Sequence, residues 1–256
     1  MAFENILYEK ADGVARITIN RPPYNVLNIP TTAEMHQAFD DAQKDDSVKV
    51  IVVSGSGNKA FSAGVDVKDH TPDLMDQMLA GFDTLCYKLL TSPKPTVAVV
   101  NGVALGGGCE VAISCDMIVA TDKSQFGQPE IKVGVYPSVA IATLPYMVPH
   151  RKAMEMLLTG DNVSASEAKE MGLVTVVVPE EQLEEAVGKF LARLTDKSSV
   201  ILQCTKKAYF RALDLSLKAA FESVENDYKN EMMKTEDAVE GINAFLERRK
   251  PVWKNR

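Results

Sequence analysis

Two acidic residues mark the places where this sequence could do chemistry. Glu110 follows the run Gly106-Gly107-Gly108-Cys109 and precedes Val111-Ala112-Ile113, and Glu130 sits in Phe126-Gly127-Gln128-Pro129-Glu130-Ile131. A carboxyl among Cys, Val, Ala and Ile is poorly hydrated once the chain folds. Burial raises its pKa toward neutrality, where it can both give and take a proton. The plainer alternatives are an acid that complements a helix dipole, worth roughly 0.3–1 kcal/mol, and, for Glu130, a solvated loop acid. Three glycines where a helix begins leave backbone N–H groups pointing outward, and such a terminus attracts negative charge. The same run could also be only a tight structural turn. A second segment, Lys59-Ala60-Phe61-Ser62-Ala63-Gly64-Val65-Asp66, is rich in small residues that let a backbone approach a ligand closely.

Other chemistries fit less well. A dinucleotide fingerprint needs G-x-G-x-x-G or a final Ala, and Gly106 onward reads G-G-G-C-E-V. A phosphate loop needs Gly-Lys-Ser/Thr, where Gly102 onward supplies Gly107, Gly108 and Cys109. No serine lies in G-x-S-x-G, and His36, His70 and His150 do not cluster. His36 falls in mid-helix and reads as a surface or packing residue. Cys86, Cys109, Cys115 and Cys204 form no Cys-x-x-Cys pair, so neither a zinc site nor a disulfide framework is expected, and free thiols in a reducing compartment are.

The elements that must position these groups can be read from periodicity and punctuation. Ile6–Glu9 and Val14–Asn20 are strand-like runs joined by Asp12-Gly13, a strong hairpin signal. Thr31 with Glu34 reads as a capping box opening a helix to about Gln43. Val48–Ser54 is a compact apolar strand. Leu74, Met78, Phe82, Leu85 and Leu89 recur at helical spacing over 72–91, and Pro93 and Pro95 end that helix. Thr96–Asn101 is a buried strand, the glycine run opens a helix to about Ser114, and Asp116–Thr121 is the next strand. Ser164 and Glu167 form a second capping box, Leu173–Val178 one more strand and Glu181–Leu194 one more helix. This alternation predicts α/β architecture over residues 1–195, followed by an almost wholly helical region, 196–256.

The 256 residues carry 46% hydrophobic and 25% charged residues, ordinary for a globular protein, with a net charge of −7. An acidic balance argues against nucleic acid as the main partner, though a few local Lys or Arg could still hold a phosphate. MAFENILYEK lacks a basic region followed by an apolar run, and apolar stretches reach only about eight residues, short of a membrane span. A cytoplasmic protein with no membrane partner is the expectation.

Taken together, A-F-S-A-G-V-D at 60–66, N-G-V-A-L-G-G-G-C-E at 101–110 and F-G-Q-P-E-I at 126–131 resemble the enoyl-CoA hydratase/isomerase (crotonase) family, in order and over essentially the whole chain. The resemblance implies a spiral of β-β-α units with a helical C-terminal trimerisation region. It implies an acyl-CoA thioester substrate, no separate cofactor, no metal, and a homotrimer or dimer of trimers. It places the oxyanion-hole N–H groups at Ala63 and Gly107, the catalytic acids at Glu110 and Glu130, and substrate contacts at Gly64, Val65, Asp66 and Tyr136. Members with both acids tend to be hydratases, and those with one tend to be isomerases. Two departures stand out: Val135-Tyr136-Pro137-Ser138-Val139-Ala140-Ile141-Ala142, where many straight-chain hydratases carry P-G-x-G-G, and Arg21-Pro22-Pro23-Tyr24-Asn25-Val26-Leu27-Asn28 near the start. Both look like the cyclic dienoyl-CoA hydratases of anaerobic aromatic breakdown, which act on cyclohexa-1,5-diene-1-carbonyl-CoA. A straight-chain 2-enoyl-CoA hydratase and an enoyl-CoA isomerase are the alternatives. Lys59 and Arg21 are candidates for the CoA phosphates, with a surface role equally open to each.

Overall fold

Asp12 and Gly13 both take positive φ, 51° and 79°, and turn the chain between antiparallel strands β1 (Ile6–Ala11) and β2 (Val14–Ile19). Two such residues make the tight turn whose twist matches a hairpin. The computed structural model describes residues 3–256. From β2 onward the sheet is parallel: β3 (Val50–Gly55), β5 (Thr96–Val100), β7 (Met117–Thr121) and β10 (Val176–Val178) join it in the order β1-β2-β3-β5-β7-β10. After β3, β5 and β7 the chain steps sideways into a short strand of a second sheet. These are β4 (Ala60–Ser62), β6 (Val103–Leu105) and β8 (Gln125–Gly127), with β9 (Val163–Ser164) completing the order β4-β6-β8-β9. Each turn of this spiral is a β-β-α unit, as expected from the resemblance.

The near-continuous valines of the parallel strands follow from burial on both faces. Ile51, Val53, Ala98 and Val100 point into one core with Met35 and Phe39 of α1 (Ile29–Lys44), Phe82, Leu85 and Leu89 of α2 (Met75–Thr91), and Val111 of α3 (Gly107–Ile113). Their neighbours Val50, Val52, Val97 and Val99 point the other way, against Leu183, Val187, Phe190 and Leu191 of α7 (Leu183–Thr195). Between β8 and β9 lie a 3-10 turn (Pro129–Val133), α4 (Ser138–Met147) and α5 (His150–Thr159), the last two not read from the sequence. Then α6 (Ala165–Glu170) starts with the expected Ser164–Glu167 capping box.

The other capping box is corrected. Helix α1 begins at Ile29, and its cap is Asn28, whose side chain accepts from Thr31 N at 3.0 Å. Glu34 faces away and takes the backbone N–H groups of Glu4 and Asn5. Leu74 stands just before α2 without a side-chain cap bond and is exposed, whereas Met78, Phe82, Leu85 and Leu89 are buried as the spacing requires.

Beyond α7 the chain continues as α8 (Ser199–Leu213), α9 (Leu217–Asn230) and α10 (Glu236–Leu246). Buried Asp237 gathers the final stretch by accepting from Ser198 Oγ, Lys254 N and Asn255 N. Among the described residues no helix is long and apolar enough to cross a membrane.

Candidate active site

Strand pairing β4 to β6 lays two small-residue segments side by side. The fit requires glycine: a Cβ on Gly108 would stand 2.2 Å from Ser62 O, and one on Gly102 would stand 2.3 Å from Lys59 O. At the mouth of this contact a Cβ on Gly64 would lie 3.5 Å from Gly107 N, and one on Gly107 would lie 3.2 Å from Val65 N. The amides of Val65 and Gly107 are therefore neighbours.

Neither amide has an acceptor among the described residues. Gly107 is the first residue of α3, so its N–H has no intrahelical partner. Val65 pairs with Leu27 as a short parallel bridge: Leu27 N donates to Gly64 O and Asp66 N donates to Leu27 O. Alternate N–H groups along an extended segment point opposite ways, so Val65 N–H faces away from Leu27.

The same alternation corrects the placement at Ala63. Its N–H donates to Tyr24 O at 2.9 Å and is not free for a ligand. That bond exists because buried Asn25 sews residues 21–27 onto the β3–β4 turn. Its Nδ2 donates to Ser56 O and Ala60 O at 2.9 and 2.8 Å, and its Oδ1 accepts from Arg21 N at 3.0 Å. The Arg21 guanidinium donates to Val26 O, so this arginine helps hold the loop. Lys59 has an exposed side chain.

Glu110 stands in the first turn of α3, and Glu130 lies against the residue that precedes that helix. Glu110 N donates to Gly106 O, and Glu130 Oε1 lies 2.6 Å from where a Cβ on Gly106 would stand. Gly106 has φ 52° and ψ −130°, a conformation open to glycine almost alone. Glu110 is only 4% exposed, and its Oε1 accepts from Ala140 N at 2.8 Å. Burial pushes its pKa up to about 7; hydrogen bonds from the first turn of α4 oppose the rise, and the Glu130 charge adds to it. Burial also raises Glu130, whose Oε2 has no hydrogen-bond partner among the described residues. His70, at the end of the 3-10 turn Val67–His70, pulls the other way through its charge. The solvated-loop alternative for Glu130 is thus excluded.

The remaining sequence candidates fall around this point. Gly64 is buried and has φ 110°, Val65 and Asp66 are half-buried, and the Asp66 side chain caps the 3-10 turn by accepting from Lys68 N. Tyr136 is 71% exposed in the loop between Glu130 and α4. The divergent segment 135–142 supplies the N–H that holds Glu110. Sequence reasoning missed the unpartnered Val65 N–H, and missed Gln128 altogether. Gln128 is fully buried beside Glu130 with both amide atoms unpartnered among the described residues. Cys86 and Cys109, buried near Glu110, have thiols raised by burial and are poor nucleophiles. Among the described residues no group of three or more His, Cys, Asp or Glu side chains is arranged to hold a metal ion. A concavity of about 1010 Å³ lies at the other end of α3 by Ser114 and Cys115, against α8, and does not include the two acids.

A two-sheet spiral that sets a buried and a half-buried carboxyl beside a pair of unpartnered amides defines a class of α/β enzyme site. The chain belongs to the enoyl-CoA hydratase/isomerase family, whose model matches residues 9–256. It is 36% identical to a crotonyl-CoA hydratase of Syntrophomonas wolfei over 256 residues, 98% of each chain. Among solved structures it resembles human enoyl-CoA hydratase domain-containing protein 3, with 30% identity, a TM-score of 0.93 and coverage of 98% and 100% of the two chains. It also resembles an enoyl-CoA hydratase from Bacillus anthracis, with 28% identity, a TM-score of 0.94 and coverage of 99% and 100%.

Proposed function

We propose that this enzyme adds water across a conjugated carbon–carbon double bond of an enoyl-CoA thioester. The observation that carries the reading is a buried Glu110 carboxyl, held by Ala140 N and within reach of the Glu130 charge, while the Glu130 carboxyl lies against Gly106, the residue before Gly107. In this mechanism Val65 N–H and Gly107 N–H receive the thioester oxygen as it gains enolate charge. Donors aimed at developing charge lower such a barrier, typically by about 3–4 kcal/mol each. The two carboxyls share one proton near neutral pH, because like charges in one buried site resist double ionisation. The ionised member takes a proton from water, and the resulting hydroxide bonds to the β carbon. The protonated member then gives its proton to carbon, so the pair returns with its one proton. Gly64, Val65 and Asp66 line the thioester approach, and no separate cofactor enters.

For the acyl group, the divergent segments 21–28 and 135–142 favour a ring diene, cyclohexa-1,5-diene-1-carbonyl-CoA, with the proton delivered to the far end of the diene. A straight-chain substrate is the second reading, favoured by the identity shared with the crotonyl-CoA hydratase. Comparing the two thioesters by loss of the conjugated absorbance, with Glu110→Gln and Glu130→Gln as controls, decides between them. Reaction of neither overturns the hydratase reading.

We also infer that residues 196–256 form an oligomerisation region, in a homotrimer or dimer of trimers. Leu217, Phe221, Val224 and Tyr228 recur along one face of α9 and are exposed, as are Phe245 and Leu246 of α10. A monomer rarely leaves so much contiguous apolar surface in water. Sedimentation of the purified chain as a monomer at micromolar concentration refutes this.

A further inference from the structure

Helix α2 touches the site at two consecutive residues. Phe82 packs against the start of α3, where its Cζ would meet a Cβ on Gly107 at 3.1 Å. Asp83, next along, is half-buried, and its Oδ1 accepts from Ser138 Oγ at 3.1 Å. Ser138 is the first residue of α4, and two residues later Ala140 N donates to Glu110 Oε1. A first helical turn is a rigid unit, so whatever fixes Ser138 also fixes the amide on Glu110. The helix has no side-chain cap of its own at Pro137, which leaves the Asp83–Ser138 bond as the tether of that terminus to α2.

We propose that Asp83 is a positioning residue of the active site, holding the first turn of α4 on Glu110 through Ser138 and facing that acid with its own carboxylate. The assignment rests on Glu110 being one of the two acids of the proposed hydration. The groups facing Glu110 are few enough for one charge to matter. The 3-10 turn Pro129–Val133 presents Glu130, α2 presents Asp83 and the Cys86 thiol, and α3 itself carries Cys109, with Cys115 just beyond its end. Strands β4, β5, β6 and β7 contain no titratable residue, and α4 offers only amides at its first turn. Asp83 is thus, with Glu130, one of two acids acting on Glu110, and it raises the Glu110 pKa in the same direction as burial does.

The two roles separate by substitution. Asp83→Asn keeps an oxygen for Ser138 and removes the charge. Ser138→Ala keeps the charge and removes the tether. The test is a ¹³C NMR titration of side-chain-labelled glutamate carboxyls in the full chain, with the Glu110 signal assigned by its loss in Glu110→Gln, beside kcat and KM across pH. Asp83→Asn lowers the Glu110 midpoint by roughly a few tenths of a pH unit and moves the matching limb of the kcat profile with it, at unchanged KM. Ser138→Ala leaves the Asp83 charge in place and lowers kcat several-fold, with KM held. A midpoint unmoved in Asp83→Asn, or kcat unmoved in Ser138→Ala, overturns the proposal. The titration reads Glu110 without turnover. A shifted midpoint in a chain that hydrates no enoyl-CoA therefore refutes the hydratase reading and leaves the coupling of Asp83 to Glu110 standing.

Discussion

Replacing Glu110 by Gln should destroy activity and make the protein harder to unfold at alkaline pH. Burial lifts the Glu110 pKa from its ordinary 4.5 to about 7. Below about pH 4.5 the carboxyl is protonated in both the folded and unfolded chains and contributes nothing. As pH rises from there, the unfolded chain releases the proton while the folded chain keeps it, so folding loses free energy until pH passes 7. Above that point the full difference applies, about 3 kcal/mol at 1.36 kcal/mol per pKa unit. The amide that Glu110→Gln introduces has no proton to lose, and its oxygen can still accept from Ala140 N. Any fixed cost of the unpaired NH₂ group is the same at every pH and cancels when two pH values are compared. For a chain of this size 1 kcal/mol moves Tm by roughly 2–4 °C. The Tm of Glu110→Gln relative to the parent should therefore rise by roughly 5–10 °C between pH 5 and pH 8.5, measured by calorimetry at fixed ionic strength and protein concentration. Hydration should meanwhile fall by about 10²–10⁴-fold. A Tm difference that stays constant with pH means Glu110 titrates as an ordinary acid and cannot share a proton with Glu130 at neutrality.

Gly106→Ala puts a methyl 2.6 Å from Glu130 Oε1 at a positive-φ position. It should cut kcat by about 100-fold while near-native circular dichroism is retained, because ångström-scale misplacement of a reacting group has that effect. Full activity would show that Glu130 has no fixed place in the reaction. Asn25→Ala removes two donor contacts and two acceptor contacts that hold the 21–27 loop. It should cost about 2–3 kcal/mol in urea unfolding and weaken turnover through Tyr24, Leu27 and Val65. Lys206, only 9% exposed, bonds Asp116 Oδ2 at 2.7 Å, so Lys206→Met leaves that carboxylate with its Thr96 donors alone and should cost about 1–2 kcal/mol. An unchanged urea midpoint in that variant would show that the pair is solvated.

What was legible in the sequence was what local physics dictates. The Asp12-Gly13 turn needs two positive φ values and has them. The α2 stripe and the Ser164–Glu167 box need only neighbours on one helix. Thr31–Glu34 failed because Asn28 competes for the same helix start and Glu34 finds the amides of Glu4 and Asn5 across the fold. The second sheet was invisible because strands of two or three residues have no period to read. The site divides along the same line. Glu110 could be suspected from its apolar neighbours in sequence, but Glu130 looks like a loop acid until the fold buries it against Gly106. The free amide could not be chosen between Ala63 and Val65 from composition, since both lie in one run of small residues. The choice is made by Tyr24 and Leu27, nearly forty residues upstream, which take the N–H groups of Ala63 and Asp66 and leave that of Val65, on the other side of the chain, unpartnered. The proposed oxyanion contact therefore belongs to the register of the 21–28 loop as much as to the glycine run. A change in that loop, one of the two places where this chain departs from its family's usual pattern, is expected to alter the reaction without touching either acid.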